Sequence, residues 1–198
     1  METFYHGTCH LFAGFSLSKL GTGEGKSKFG HGIYVTSSYA TAVLYAAKAA
    51  RANGAGSIYV YTVEVPDIKA DNHLFSCKPV DDAIIGRTEK LIGEAIPEEV
   101  KTAGKLFRKY LGNLLVGQRG TVKKMMGKAD AVAEEAASRF LDVIGVDYLV
   151  WPQAQTKPDG ESNRAVLNEE KVRILKIEQV DVDEKNRLIA GSQREIKT

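Results

Sequence analysis

A histidine beside a glycine, and two tyrosines eleven residues apart, are the residues of this chain best suited to hold a ligand. His6 and Gly7 end a first strand-like run, and Tyr34 and Tyr45 belong to a second segment that begins at Phe29. An imidazole can hydrogen-bond a hydroxyl group, and a glycine without a Cβ lets a ligand approach the main chain. Two aromatic rings can stack on a planar group, which contributes about 0.5–1.5 kcal/mol per pair beyond burial. These residues predict a site for a flat carboxamide ring and the ribose attached to it.

The same residues also have a purely structural interpretation. His6 fits a core histidine and Gly7 a turn residue, and for this pair alone that interpretation is the better one. Tyr34 and Tyr45 fit core positions at strand and helix spacing. The two segments together favour a site, because they combine the groups that such a ligand requires.

The elements that must position these residues follow from the apolar pattern. Ser37-Ser38 offers an N-cap for a helix over 39–51, which carries apolar residues at helical spacing. Residues 80–143 are rich in Ala, Leu, Lys and Glu and predict an insert of two to four helices. The predicted strands are residues 3–8, 33–36, 57–65, 146–151, 164–167 and 172–180. Strands on both sides of a helical insert predict an α+β fold in one domain, 1–198, with a polar and partly frayed tail.

Composition sets the outer bounds. The 198 residues are 43% hydrophobic and 26% charged, which is ordinary for a globular protein, and no stretch is apolar enough for a membrane span. Cys9 and Cys77 are isolated, and the first residues show no secretory signal, so we expect a reduced, cytoplasmic setting. The four histidines lack ligand spacing with cysteines or carboxylates, so we expect no metal site.

The span from Tyr5–Thr8 through Phe29–Val35 to Tyr45 resembles the nicotinamide pocket of the His-Tyr-Glu ADP-ribosyltransferases. This superfamily includes the poly-ADP-ribose polymerases and diphtheria toxin, and the chain is most similar to free-standing, toxin-like bacterial and phage-related members. The resemblance covers about the first 65 residues closely and the last 35 more loosely. Val65-Pro66-Asp67 before the insert and Gly145-Val146-Asp147 after it also match those relatives. The resemblance implies a split β-sheet core with a helical insertion, and NAD as the substrate.

The resemblance also implies roles for individual residues. His6 would hold the 2′-hydroxyl of the adenosine ribose, Gly7 would pair with the nicotinamide amide, and Tyr34 and Tyr45 would sandwich the ring. A pocket hydroxyl of the polymerase branch falls at Ala42 here, and the adjacent Thr41 is expected to substitute for it. The expected NAD-binding residues are therefore His6, Gly7, Thr8, Gly32, Tyr34, Thr41 and Tyr45.

The third motif of this chain departs from the family pattern. The strand that follows a polar loop, residues 152–162, puts Asn163 where the catalytic glutamate is usual. A positioned general base contributes typically about 10²–10⁴-fold, and asparagine can hydrogen-bond a ribose hydroxyl but cannot act as a base. Glu161 lies two residues earlier and is either the acceptor base or a solvated loop carboxylate. Glu169 and Glu170 follow the strand and are expected to point to solvent. The expected catalytic residues are His6, Tyr34, Glu161 and Asn163.

A block of basic residues in the insert bears on the acceptor. It consists of Lys101, Lys105, Arg108, Lys109, Arg119, Lys123, Lys124 and Lys128. One exposed face of a helix would carry Lys101, Lys105, Arg108 and Lys109. Basic stripes of this kind bind nucleic acid in a salt-dependent way. A solvated helix face is the alternative.

Three functions remain open from the sequence. The first is an NAD-dependent mono-ADP-ribosyltransferase that modifies RNA or another nucleic acid as a toxin or antiviral effector, with an antitoxin as a candidate partner. The second is the same catalysis on protein side chains. The third is a non-catalytic module that binds NAD or ADP-ribose, which Asn163 favours.

Overall fold

The computed structural model describes residues 1–20, 29–152 and 162–196. Its strands are β1 (Glu2–Thr8), β2 (Ile33–Thr36), β3 (Tyr59–Val65), β4 (His73–Phe75), β5 (Tyr148–Pro152), β6 (Ser162–Val166), β7 (Arg173–Gln179) and β8 (Arg194–Glu195). Its α-helices are α1 (Tyr39–Asn53), α2 (Asp82–Ile92), α3 (Glu98–Lys101), α4 (Gly104–Leu115), α5 (Val122–Gly127) and α6 (Ala131–Val143). None of the described helices is long and apolar enough to cross a bilayer.

The described strands form one open sheet in the order β4-β5-β6-β2-β1-β3-β7-β8. Every neighbouring pair is antiparallel except β4 and β5, which are parallel and are connected by helices α2–α6. The architecture is therefore mixed α+β, as the pattern of strands around a helical insert predicts.

A weakly paired seam divides this sheet between β1 and β2. Strand β1 pairs with β3 along its whole length, from Glu2 to Thr8. With β2 it shares a single registered pair, Tyr5 opposite Thr36. Arg164 of β6 reaches past β2 to form an ion pair with Glu2 at 2.7 Å, which ties the two halves of the sheet together. The seam therefore separates two well-paired half-sheets that remain joined at one end.

Helix α1 packs closely over the seam. Ser38 caps its first turn by accepting a hydrogen bond from the Thr41 N–H, and Gly54 ends it in the left-handed conformation. The helix approaches β1 so closely that a Cβ on Gly7 would lie 1.8 Å from the carbonyl oxygen of Ala42. Glycine at this position is therefore required for the packing of α1, and the face of Gly7 that lacks a Cβ is covered by the helix.

The helical insert is more divided than its composition predicts. Five helices lie between residues 82 and 143, where two to four were expected. The extra element is α3, a single turn of four residues that follows Pro97. Buried apolar residues of α4 and α6, among them Phe107, Leu111 and Leu141, join the insert to the core of the sheet. Strands β4 and β8 were not predicted, because three and two residues carry too little alternation to be recognised.

Candidate functional site

A cavity of about 280 Å³ opens at the seam, beneath α1. It is lined by Tyr5, His6, Gly7, Phe29, Tyr34, Val35, Thr36, Tyr45, Trp151 and Asn163. These residues come from β1, β2, α1, β5 and β6 and from the segment before β2. The cavity thus brings together five residues that the sequence singles out, His6, Gly7, Tyr34, Tyr45 and Asn163.

His6 bridges the seam with its side chain. Its Nδ1 lies 2.7 Å from the main-chain oxygen of Tyr34. Since a carbonyl oxygen can only accept, Nδ1 must carry the proton in this hydrogen bond. Burial lowers the pKa of His6, which favours the neutral ring, although the bond to Tyr34 acts in the opposite direction. A neutral ring that is protonated on Nδ1 presents Nε2 as an acceptor for a ligand hydroxyl.

Tyr34 uses its hydroxyl to hold the segment that precedes β2. The hydroxyl donates to the carbonyl oxygen of Gly30 at 2.9 Å and accepts from the Phe29 N–H at 3.1 Å. Burial raises the pKa of Tyr34 to about 12, so the hydroxyl remains a neutral donor. Gly30 has φ +112°, a conformation that favours glycine. The hydroxyl of Tyr34 therefore has a structural role, and its ring is the part that a ligand can contact.

Aromatic rings form one wall of the cavity. Phe29 and Trp151 are stacked, with ring centroids 4.3 Å apart and planes 2° apart, and Tyr34 tilts against Trp151 at 5.1 Å. Tyr45 enters from α1 and is 48% exposed. Trp151 was not predicted as a site residue. The sequence does show that Trp151 ends a strand just before the polar loop. It does not show that Trp151 stands opposite Asn163, because that register depends on two separate strands.

Asn163 lines the cavity with 3% of its surface exposed. It stands on β6 between Trp151 of β5 and Thr36 of β2. Its Oδ1 is buried and has no hydrogen-bond partner in the described part of the chain. An unpaired buried acceptor costs about 1–3 kcal/mol, so this oxygen is suited to receive a donor from a ligand. No carboxylate is among the described residues that line the cavity.

Three of the expected NAD-binding residues lie elsewhere. Thr8 lines a second cavity, of about 490 Å³, which His6 and Tyr34 also line, so these two side chains border both spaces. Gly32 is buried against β6, and Thr41 is buried in the first turn of α1. Neither Gly32 nor Thr41 lines the cavity at the seam.

The carboxylates near the third motif are placed differently from one another. Glu161 lies outside the described residues. The carboxylate of Glu169 accepts a hydrogen bond from the Leu17 N–H, so the prediction that it points to solvent is wrong. Glu170 is exposed, as predicted.

The prediction that Arg108 lies on an exposed basic face is also wrong. Arg108 is buried between α4 and α6, and its Nε lies 3.1 Å from Glu134 Oε2. Burial lowers the pKa of Arg108 and raises that of Glu134, and the attraction between the two charges opposes both shifts. Position 108 lies between Phe107 and Leu111 on the core-facing side of α4, although its spacing from the neighbouring lysines predicts an exposed basic face.

Comparison with known proteins returned no match: no family model matches the chain, and no curated protein or solved structure is significantly similar to it. Function must therefore be inferred from the geometry and chemistry of the cavity at the seam.

Proposed function

We propose that the protein is an NAD-dependent ADP-ribosyltransferase with the split sheet of that superfamily. The observation that carries the proposal is the single cavity lined by His6, Gly7, Tyr34, Tyr45 and Asn163. These residues are far apart in sequence and correspond to the three motifs of the family. Their convergence at a seam between two half-sheets is what the proposal requires.

The site offers each part of NAD a matching group. The nicotinamide ring stacks between Tyr45 and the aromatic wall of Tyr34 and Trp151. Its amide reaches the main chain of Gly7, and a ribose hydroxyl donates to Nε2 of His6. The second cavity, which shares His6 and Tyr34 with the first, has room for the rest of the dinucleotide. Volumes of about 300–1,000 Å³ are usual for small-molecule sites.

The reaction breaks the bond between the nicotinamide nitrogen and C1′ of the ribose, and the electron pair leaves with nicotinamide. C1′ becomes cationic, and the acceptor then forms a bond to it and loses a proton. Asn163 Oδ1, which is buried and unpaired among the described residues, is proposed to accept a hydrogen bond from a ribose hydroxyl and so to fix the sugar. It cannot take the proton, so Glu161 or water is the proposed base.

Labelled NAD tests this proposal directly. The purified full chain is incubated with NAD and, separately, with RNA, DNA and protein pools, and nicotinamide release and label transfer are measured. Tyr45→Ala should reduce nicotinamide release at least tenfold without unfolding, because Tyr45 is half exposed. Leu175→Ala removes a similarly exposed apolar side chain from β7 and serves as the control. Full activity of folded Tyr45→Ala and Tyr34→Ala variants would show that the cavity at the seam is not the NAD site.

A non-catalytic NAD or ADP-ribose module is the second candidate. It is favoured by Asn163 at the position of the usual glutamate and by the lack of carboxylates among the described residues that line the cavity. This candidate predicts that NAD raises the melting temperature while no nicotinamide is released. Transfer to a protein rather than to a nucleic acid is decided by the separate acceptor pools.

A further inference from the structure

Five lysines on and beside α4 and α5 form no ion pair within 4 Å with a carboxylate of the described residues. They are Lys105, Lys109, Lys123, Lys124 and Lys128, and we refer to them as the lysine surface. The other three members of the basic block each lie within 4 Å of a carboxylate. Lys101 pairs with Glu98 at 2.7 Å, Arg119 is 3.9 Å from Glu94, and Arg108 is buried against Glu134. The structure thus separates a positive patch that forms no close ion pair from the block seen in the sequence.

Contacts between α4 and α5 make this patch continuous. Lys109 Nζ donates to the carbonyl oxygen of Gly127 at 2.5 Å, and Asn113 Nδ2 donates to that of Lys128 at 3.0 Å. The end of α5 therefore lies beside the middle of α4. Lys105 precedes Lys109 by one helical turn, about 5.4 Å. Burial lowers the pKa of Lys109 and the charge of Lys105 adds to this effect, while the Glu134 carboxylate opposes it.

The lysine surface begins next to the cavity at the seam. Lys105 lines a narrow crevice together with Phe29 and Trp151. The same two aromatic residues also line the cavity at the seam. The crevice beside Lys105 and the proposed nicotinamide site therefore share these two stacked rings, and a chain bound along the lysines would pass close to the site.

We propose that the acceptor for ADP-ribose is a nucleic acid whose phosphates bind the lysine surface. This inference rests on the proposed function. Lysines contact phosphates as point charges without reading sequence, and such contacts position a polynucleotide beside a catalytic site. A nucleophilic nitrogen or oxygen of the polynucleotide forms the new bond to C1′ as the bond to nicotinamide breaks, and its proton passes to water. A base amine suits a cavity that has no carboxylate among its described lining residues, because it needs little activation.

The test reverses three exposed lysines, Lys105→Glu, Lys124→Glu and Lys128→Glu, in one variant. Arg108 is left intact because its replacement would disturb the fold. A control variant carries Lys69→Glu, Lys90→Glu and Lys185→Glu, exposed lysines outside the lysine surface, and has the same net charge. Binding of a labelled 20-nucleotide RNA, and of single- and double-stranded DNA of the same sequence, is measured without NAD between about 50 and 200 mM salt.

The wild type should bind a single strand with a slope of log affinity against log salt of about −3.5, since each of the five lysines that contacts a phosphate contributes about −0.7. The lysine-surface variant should bind at least tenfold more weakly than the control, and its transfer to nucleic acid should fall at least tenfold further than its nicotinamide release. The three probes show whether RNA, single-stranded DNA or duplex DNA supplies the phosphates.

Equal binding and transfer by the two variants would overturn the proposal, and so would label that enters only protein. Nucleic-acid binding that depends on the lysines, together with no nicotinamide release by the wild type, would instead overturn the proposed function and with it the acceptor role. The two failures are distinguishable because binding is measured without NAD.

Discussion

His6 is hydrogen-bonded through Nδ1 to the main-chain oxygen of Tyr34, 2.7 Å away, across the seam where β1 and β2 cease to pair. A side chain here replaces the main-chain hydrogen bonds of a continuous sheet. The two strands remain linked while their main chains separate, and the space between them becomes the cavity. The same bond fixes the proton on Nδ1 and leaves Nε2 as an acceptor, so one contact serves both the fold and the proposed site.

His6→Asn separates these two roles. An asparagine amide nitrogen can take about the position of Nδ1 and donate to Tyr34, but nothing replaces Nε2. We expect a melting temperature close to that of the wild type and an NAD affinity at least tenfold lower, measured by calorimetry. His6→Ala leaves the Tyr34 oxygen unpaired and should also destabilise the fold by about 1–3 kcal/mol. Unchanged NAD affinity in His6→Asn would show that Nε2 does not bind the ligand.

Stability should depend on pH through His6. Burial lowers the pKa of His6 in the folded protein, whereas an unfolded chain titrates near about 6.5. Its contribution to the free energy of unfolding is therefore complete above about pH 6.5 and is lost as the pH falls below that value toward the folded pKa. Urea unfolding at several pH values should show a smaller decline for His6→Asn than for the wild type. The pKa of His31 is also lowered by burial, so its contribution has the same sign and remains in both proteins.

Asn163→Ala should affect the ligand more than the fold. Asn163 Oδ1 has no partner in the described chain, so its removal breaks no hydrogen bond of the free protein. We expect a nearly unchanged melting temperature but a loss of most of the stabilisation that saturating NAD gives the wild type. Asn113→Ala is the matched control, because Asn113 Nδ2 donates to Met125 and Lys128 and lies outside the cavity. It should lower the melting temperature and leave the NAD-induced shift intact; the reverse pattern would contradict the site.

Arg108→Ala should destabilise the protein by about 3–5 kcal/mol, because it leaves Glu134 buried without its counter-charge. The double variant Arg108→Leu, Glu134→Leu removes both charges and should recover most of that loss. Both effects are measured as free energies of unfolding from urea titration. If Arg108→Ala and Arg108→Glu proved as stable as the wild type, position 108 would have to be exposed in solution, as the sequence spacing alone predicts.

Local chemistry made much of this protein predictable from its sequence. Helix α1 begins after Ser38 and ends at Gly54 because a hydroxyl cap and a left-handed glycine act within a few residues of the chain. The longer strands were found because apolar alternation along a strand is a local signal. The spacing of Tyr34 and Tyr45 indicated a strand followed by a helix, and both side chains do line one cavity.

Tertiary structure alone decided which residues complete that cavity and which charges remain available. Trp151 and Asn163 face the same space because β5 and β6 pair in one register, and a slip of one residue between these strands would put the two side chains on opposite faces of the sheet. Arg108 is buried because Glu134, on another helix, compensates its charge. Such pairings join residues that are distant in the chain, and no local periodicity records them. The sequence therefore determined the local elements and the types of the reactive groups, and long-range packing determined their neighbours.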